Sequence, residues 1–252
     1  MDLHRLAGGV TTLLAFLALW ILGPEKGQAE EKMLAPPRKP EIGVLSSMRL
    51  ILGSLVFWQL GAVAFFRYGT YVSLQGLWLG PYLIDTRGYS PIQTGNILIW
   101  LAIGTIAGSP ISGRLSDRIF RSRKNVALGG LALYSLCLFP LLGVLKIESP
   151  FVYGFLFFVT GFFATFGMLI YSHAKELFPL AISGTIMTWV NFFTMVGGAI
   201  LMPLLGRVIE SFPRVNQAYP AQAYHLAFLI CFLGMAASVT FYAFSKREKT
   251  SG

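Results

Sequence analysis

The sequence predicts an all-α integral membrane protein, and three observations carry that prediction. Hydrophobic residues make up 55% of the 252 residues, whereas charged residues make up 12%. The mean hydropathy is +0.65, which is too apolar for an ordinary soluble domain. The apolar residues form continuous runs without alternation at period two, and this pattern excludes a transmembrane β-barrel.

Seven apolar runs are long enough to be membrane helices, since about 20 residues cross the hydrocarbon core. The first run could also be a secretory signal peptide, but no small-residue cleavage pattern follows it, so we predict a membrane helix. The second run is too long for one upright helix, so we predict an interfacial piece at 42–54 before the span. The predicted spans are 6–22, 58–82, 92–113, 126–145, 151–172, 184–205 and 225–244.

Composition divides the chain into four predicted segments. Residues 1–22 form an N-terminal transmembrane helix that precedes a polar stretch rich in Pro, Glu and Lys. That stretch, residues 23–49, cannot bury a core and is predicted to be a flexible cytoplasmic linker. Residues 50–245 form a six-helix domain, and residues 246–252 form a cytoplasmic tail.

Basic residues orient these segments, because Lys and Arg beside membrane spans stay in the cytoplasm. Most of the 20 Lys and Arg residues lie in the linker, in a loop at 113–124 and in the tail. We therefore predict a multi-pass protein of the cell (inner) membrane, with its N-terminus outside and its C-terminus cytoplasmic. This distribution also explains the net charge of +9 without a nucleic-acid partner.

The sequence offers no catalytic, metal or cofactor site. Cys137 and Cys231 lie inside apolar runs, and His4, His173 and His225 lack the spacing of metal ligands. Nucleotide-binding and hydrolase motifs are absent from the sequence. We predict a non-enzyme whose partners are the lipid bilayer and a small-molecule or ion substrate. His173 is predicted to be a solvated loop histidine, with proton coupling as the alternative.

The loop at residues 113–124, called the motif loop below, reads Gly-Arg-Leu-Ser-Asp-Arg-Ile-Phe-Arg-Ser-Arg-Lys. This order resembles the signature loop of the major facilitator superfamily of secondary transporters, G-x-L-[SA]-D-R-x-G-[RK]-[RK]. Phe120 stands where that family has a second glycine, which bears on the tightness of the turn. The matching residues are Gly113, Leu115, Asp117, Arg118 and Arg121.

The resemblance implies that these five residues form a conformational gate. Asp117 would accept hydrogen bonds from an arginine or a helix N-terminus, and Arg118 or Arg121 would reach another helix end. In the family such contacts hold one state of the transporter and break as its halves rock.

The resemblance extends over most of residues 50–245. Transporters of this superfamily resemble two six-helix halves joined by a cytoplasmic linker, and this layout resembles a sixth helix, the linker and a C-terminal half. Segments at 57–58, 68–71 and 74–81 look like nitrate/nitrite-type and related anion-carrying members. The resemblance implies secondary active transport of a small solute, with an anion as one candidate, by alternating access. A missing N-terminal half or second subunit would complete the pathway.

The alternative function is a non-transporting membrane subunit, or a half-transporter fragment that needs a partner chain. Such a chain would bind or stabilise a partner instead of moving a solute.

Substrate-binding residues are predicted on the helix at 58–82. Arg67, Tyr71, Gln75 and Trp78 recur at spacings of four, four and three, which places them on one helical face. A charge at that depth costs about 2.5–3.5 kcal/mol, so it usually faces a cavity or a partner, although it can also snorkel to the headgroups. A guanidinium suits an oxyanion such as nitrate, phosphate or a carboxylate. Asn191 is a further candidate, although an interhelical hydrogen bond is its favoured role.

Overall fold

The structure is a computed structural model that describes residues 44–145 and 147–245, and its regular elements there are helices without strands. The predicted helix at 1–22, residues 23–43 of the linker and the tail at 246–252 lie outside the described residues. The α-helices are α1 (Val44–Leu52), α2 (Leu55–Ser73), α3 (Leu79–Arg87), α4 (Pro91–Arg114), α5 (Arg123–Leu138), α6 (Pro150–Ala164), α7 (Leu169–Leu177), α8 (Ser183–Glu210) and α9 (Ala221–Ala243).

Short segments of other helix types join or extend several of these helices. A π turn, Leu74–Trp78, joins α2 to α3, and a 3-10 segment, Thr165–Met168, joins α6 to α7. A second π turn, Leu115–Ile119, extends α4, and the 3-10 segment Phe139–Leu142 extends α5. Within the described residues, the chain beyond α1 therefore forms a bundle of six rods: α2–α3, α4, α5, α6–α7, α8 and α9.

Five of the predicted spans are confirmed as helices long and apolar enough to cross a membrane. The rod α2–α3, which contains the predicted span 58–82, does not reach the same hydropathy, because Gln59 and Arg67 interrupt its apolar residues. The count of seven spans therefore stays a prediction. The five helical runs are Pro91–Ile119, Arg123–Leu142, Pro150–Leu177, Ser183–Glu210 and Ala221–Ala243.

Local sequence signals explain where several helices begin. Ser90 caps α4: its Oγ accepts from the Gln93 amide at 3.3 Å, and the Gln93 Oε1 accepts from the Ser90 amide at 3.0 Å. Proline follows at the first helical position of α4, where its missing N–H costs nothing. Ser122 caps α5 in a similar way by accepting from the Asn125 amide. Gly53 and Ser54 separate α1 from α2, so Val44–Leu52 is a distinct helix within the predicted interfacial piece at 42–54. Its position at the membrane interface stays a prediction.

Glycines allow two helix pairs to approach until their backbones touch. Between α2 and α8, a Cβ added to Gly69 would come within 2.6 Å of the Gly197 carbonyl oxygen. Between α4 and α6, a Cβ at Gly104 would collide with the Phe158 carbonyl, and one at Gly161 would collide with the Leu101 carbonyl. Small residues at such crossings permit close packing in membranes, where apolar surface alone does not drive association.

Polar contacts at the rod ends show which connections lie together. At one end, Arg123 at the start of α5 pairs with Glu176 near the end of α7. At the other end, Asp85 of α3 accepts from the Tyr224 hydroxyl at 2.6 Å, and Arg87 donates to the Tyr153 hydroxyl at 2.9 Å. The connections thus alternate between two ends, as expected for rods that run up and down. The side of the membrane that each end faces stays a prediction.

Replacing Gly104 by Ala should destabilise the bundle by about 1–3 kcal/mol, because its methyl group would force α4 away from the α6 backbone. Gly95→Ala in the same helix is the matched control, since nothing lies within 4 Å of a Cβ at Gly95. That control should be neutral or stabilising, because Ala favours helix more than Gly does. Thermal unfolding of both variants in detergent measures the difference. Equal melting temperatures would contradict backbone contact between α4 and α6.

Candidate functional site

Arg67 lies near the middle of the bundle and not at a helix end. Counting from Leu55 at 1.5 Å per residue, it is about 18 Å along α2. The residue is only 7% exposed. A snorkelling arginine would extend towards the headgroups and stay wet, so this burial favours a role inside the protein.

The 3-10 segment between α6 and α7 is where Arg67 enters the neighbouring rod. A Cβ at Gly167 would lie 2.5 Å from the Arg67 Cδ, so glycine at this position makes room for the side chain. The Arg67 Nη1 donates to the Ala164 carbonyl at 3.4 Å, and Nη2 lies 3.9 Å from the Met168 Sδ. Both contacts are long, so the protein holds the guanidinium weakly.

No carboxylate pairs with Arg67 in the part of the chain that the structure describes. Its buried Nε also lacks a hydrogen-bond partner there. Tyrosines surround it instead. The guanidinium carbon lies 5.7 Å from the centre of the Tyr68 ring, and Tyr71, Tyr134 and Tyr171 are within electrostatic reach. The buried hydroxyl of Tyr134 has no hydrogen-bond partner among the described residues either. The cluster therefore has donors available for an oxyanion.

Hydroxyl contacts tie this cluster to the rods on both sides. The hydroxyl of Tyr71 lies 3.0 Å from the Thr105 Oγ1 of α4. The hydroxyl of Tyr171 donates to the Asn191 Oδ1 at 3.4 Å and lies 3.0 Å from the Thr194 Oγ1, both of α8. The predicted interhelical hydrogen bond of Asn191 is thus confirmed. Three of the five predicted substrate residues, Arg67, Tyr71 and Asn191, connect through this cluster.

Gln75 and Trp78 lie in the π turn, where the regular α-helical spacing assumed for one face is interrupted. Gln75 is exposed. The Trp78 Nε1 donates to the Met202 carbonyl at 3.4 Å, and its ring packs over Gly206. Trp78 therefore links the rod α2–α3 to α8. Its predicted contact with a substrate, like that of Gln75, stays a prediction.

An ion-pair network forms at the motif loop. The Asp117 Oδ1 accepts from the Ser116 hydroxyl at 3.0 Å and lies 3.6 Å from the Arg123 Nε. The Arg123 Nη1 lies 2.7 Å from the Glu176 Oε1. Asp117 thus pairs with an arginine, one of its two predicted partners, but at 3.6 Å this contact is an ion pair and not the predicted hydrogen bond. Arg123 therefore bridges the acid of the motif loop to the end of α7.

The two motif arginines do not make the crossing contact. Arg118 and Arg121 are exposed and form no ion pair with any acid that the structure describes. Phe120, at the position of the family glycine, is right-handed with φ −88° and ψ −16°. Arg121 has φ +45°, so the left-handed residue of this turn comes one position later. An arginine is strained in that region, whereas glycine is not.

The prediction that His173 is a solvated loop histidine is wrong. Its side chain is fully buried, and its Nδ1 lies 2.8 Å from the Tyr242 hydroxyl of α9. The reason is that α7 continues to Leu177 and carries His173 into the bundle. Nearby, the Lys124 Nζ donates to the carbonyls of Ala243 and Ser245 and so caps the end of α9.

Sequence reasoning missed the residues that complete both sites. Gly167 and Tyr171 lie in a Phe-rich run. The periodicity of that run does not show that Gly167 contacts an arginine, because a glycine that packs against any other side chain would give the same pattern. Arg123 is one of several basic residues in the motif loop. Glu176 offered a usable signal, because it is the one acid in the 28-residue helical run Pro150–Leu177.

Comparison with protein families gives a match over most of the chain. The model of the Major Facilitator Superfamily matches residues 6–202 and, in a second placement, residues 60–252. Both placements include the Arg67 cluster and the motif loop.

Curated relatives include three proteins named "Probable hexose phosphate transport protein". Those of Chlamydia trachomatis, Chlamydia muridarum and Chlamydia pneumoniae are 29%, 28% and 30% identical to this chain over 166 residues. The aligned segment is 64% of this chain and 35% of each relative. The chain thus aligns with about a third of the length of these relatives.

Arg123→Gln should lower stability by about 0.5–1 kcal/mol, because it removes both ion pairs from a half-exposed network. Arg118→Gln removes the same charge from the same loop without breaking an ion pair, and should have little effect. Thermal unfolding at low salt and near 1 M NaCl measures both variants. The gap between them should shrink at high salt, since the Debye length falls to about 3 Å. A salt-independent gap would contradict an electrostatic role for Arg123.

Arg121→Gly and Arg118→Gly should change stability in different directions. Glycine at 121 relieves the left-handed backbone, whereas glycine at 118 enters a helical segment and loosens it. The two variants lose the same charge, and we expect Arg121→Gly to be more stable by about 1–2 kcal/mol. Chemical or thermal unfolding compares them directly. Equal stabilities would show that the left-handed turn at Arg121 carries no strain.

Proposed function

This chain belongs to the major facilitator superfamily, and from that membership we propose that its bundle lines a pathway for a phosphorylated small solute. The family and the names of the relatives support solute transport in a multi-pass membrane protein, and they favour a transporter over an enzyme. The apolar helices agree with that setting. What the fold leaves open is the chemistry of the solute, which depends on the site.

The proposal rests on the guanidinium of Arg67, which is buried and has no acidic partner among the described residues. Burying a charge inside a membrane protein costs several kcal/mol unless a partner compensates it. Among the described residues Arg67 has one long backbone contact, one thioether and tyrosine rings. An anionic solute would supply the missing counter-charge. The planar guanidinium presents paired donors that match two oxygens of a phosphate.

Phosphate is favoured over nitrate for two reasons. The sequence resembles nitrate/nitrite-type carriers in short segments, but the curated relatives carry hexose phosphate transport in their names. In addition, the cluster around Arg67 is rich in hydroxyl and amide groups, including Tyr71, Tyr171 and Asn191. These groups suit the hydroxyls of a sugar, whereas a bare inorganic anion would need few of them.

The bundle supplies one wall of the proposed pathway. In this superfamily the solute site lies near the middle of the membrane between two six-helix units, and access alternates as the units rock. We propose that a second unit, in the same polypeptide or in another chain, supplies the opposite wall. The bridge from Asp117 through Arg123 to Glu176 would then stabilise one of the two states, because it joins the motif loop to the rod that contacts Arg67.

Arg67→Lys and Arg67→Gln should both weaken transport of a hexose phosphate by the complete assembly. The lysine keeps the charge but loses the paired donors, so the affinity should fall moderately. The glutamine removes the charge, and the loss should be about 2–5 kcal/mol, which is at least about 30-fold. Uptake of radiolabelled hexose phosphate into proteoliposomes measures both effects.

Arg207→Gln is the charge-matched control, since Arg207 is exposed in the last turn of α8. It should transport normally. Unfolding temperatures recorded beside uptake separate binding from folding, because Arg67→Gln should fold as well as the wild type. Normal uptake by Arg67→Gln would overturn the anion site. If the wild-type protein binds hexose phosphate but no assembly that contains it takes up hexose phosphate, the alternative function of a non-transporting subunit would be favoured.

A further inference from the structure

An apolar groove opens beside the motif loop, and its lining includes none of the residues of the Arg67 cluster. It has a volume of about 410 Å³, which is within the roughly 300–1,000 Å³ of ligand pockets. Its walls come from the end of α4, the first half of α5 and the end of α6, and they are almost entirely apolar. Lining residues include Leu115, Phe120, Asn125, Gly129, Leu133 and Phe162.

The groove runs from the polar end of the bundle into the membrane-spanning part. Asn125 and Leu133 mark its course along α5, and their separation corresponds to about 12 Å of helix. Leu133 is 44% exposed and Phe120 is 60% exposed, so the groove is open at its side and at its mouth. Gly129 lines the groove and leaves space in it, because nothing lies within 4 Å of a Cβ added there.

Two cations lie close in sequence to Phe120, which lines this groove. Arg118 and Arg121 flank Phe120, are exposed and have no acidic partner among the residues that the structure describes. Arg123, by contrast, is engaged with Asp117 and Glu176. Two exposed cations therefore lie within two residues of Phe120, the exposed residue that lines the groove beside the motif loop.

We propose that this groove binds an anionic phospholipid. One acyl chain lies in the groove along α5, from Gly129 to Leu133, and the phosphate binds Arg118 and Arg121. Basic sites at the ends of membrane helices attract anionic headgroups, and the cleft adds burial of methylene groups. The site and the lipid match in polarity. The charged residues at the end of the bundle face the headgroup, and the apolar groove faces the acyl chain. A soluble peptide would instead need hydrogen-bonding groups along the cleft, and the lining offers few.

The proposal is tested on the full chain in detergent with three probes. These are dioleoyl phosphatidylglycerol, dioleoyl phosphatidylcholine with the same chains, and glycerol phosphate with no chains. Native mass spectrometry counts bound lipid, and thermal unfolding reports stabilisation. We expect phosphatidylglycerol to bind in preference to phosphatidylcholine and glycerol phosphate to have no effect. Equal binding of the two lipids, or a shift with glycerol phosphate alone, would overturn the proposal.

Two variants distinguish the contribution of the apolar groove to lipid binding from that of the two arginines. Gly129→Leu fills the cleft and should reduce phosphatidylglycerol binding, whereas Gly95→Leu, at another open glycine, should not. The double variant Arg118→Gln with Arg121→Gln should lose about 30-fold in preference for phosphatidylglycerol, while Arg207→Gln keeps it. Wild-type binding by Gly129→Leu, or an unchanged preference in the double variant, would contradict the site. A change in oligomeric mass without a change in lipid binding would assign the groove to a second copy and overturn the proposal.

Discussion

Backbone contact at glycine crossings is the constraint on which the bundle depends. Gly69 and Gly197 bring α2 against α8, and Gly104 and Gly161 bring α4 against α6. In lipid, apolar side chains gain little by meeting one another, so association needs close packing and hydrogen bonds. These two tight pairs form a frame within which longer polar side chains can reach between rods. The side chains of Arg67, Tyr71 and Tyr171 make such contacts between rods. The distances of these contacts would change if α2 separated from α8 or α4 from α6.

The fold was largely predictable from sequence, because membrane helices can be recognised by the length and hydropathy of their apolar runs. Five helices occur where apolar runs predicted spans, and the short helix before α2 was predicted from an apolar run too long for one crossing. The breaks inside rods were not predictable. The 3-10 segment Thr165–Met168 lies in an apolar stretch without proline, so composition gives no sign of it. The π turn Leu74–Trp78 ends three residues before Pro81, which cannot donate to the helix ladder, but a proline alone does not specify the type of turn that forms.

The candidate site was predictable in part for a related reason. Arg67 stood out because a charge inside an apolar run is rare and costly. Its surroundings did not stand out, since tyrosines and glycines are common in such helices and their meeting depends on tertiary contacts. The same limit applies at the motif loop, where sequence order drew attention to Arg118 and Arg121. The contact that crosses to α7 belongs to Arg123, which only the three-dimensional arrangement of α5 and α7 distinguishes.

In the proposed transport, the isolated charge of Arg67 would make movements of the bundle sensitive to the membrane potential. The acids of the described chain lie near rod ends, so the centre carries one uncompensated positive charge. Moving one charge through the whole membrane field is worth about 2.3 kcal/mol per 100 mV. A bound monoanion would neutralise the centre, and the field would then act mainly on the empty form. A phosphate dianion would leave one negative charge, so loaded and empty forms would respond in opposite senses. In the proposed transport, the membrane potential would thus act differently on the empty and the loaded forms. The acids are Asp85, Asp117, Glu148, Glu176 and Glu210.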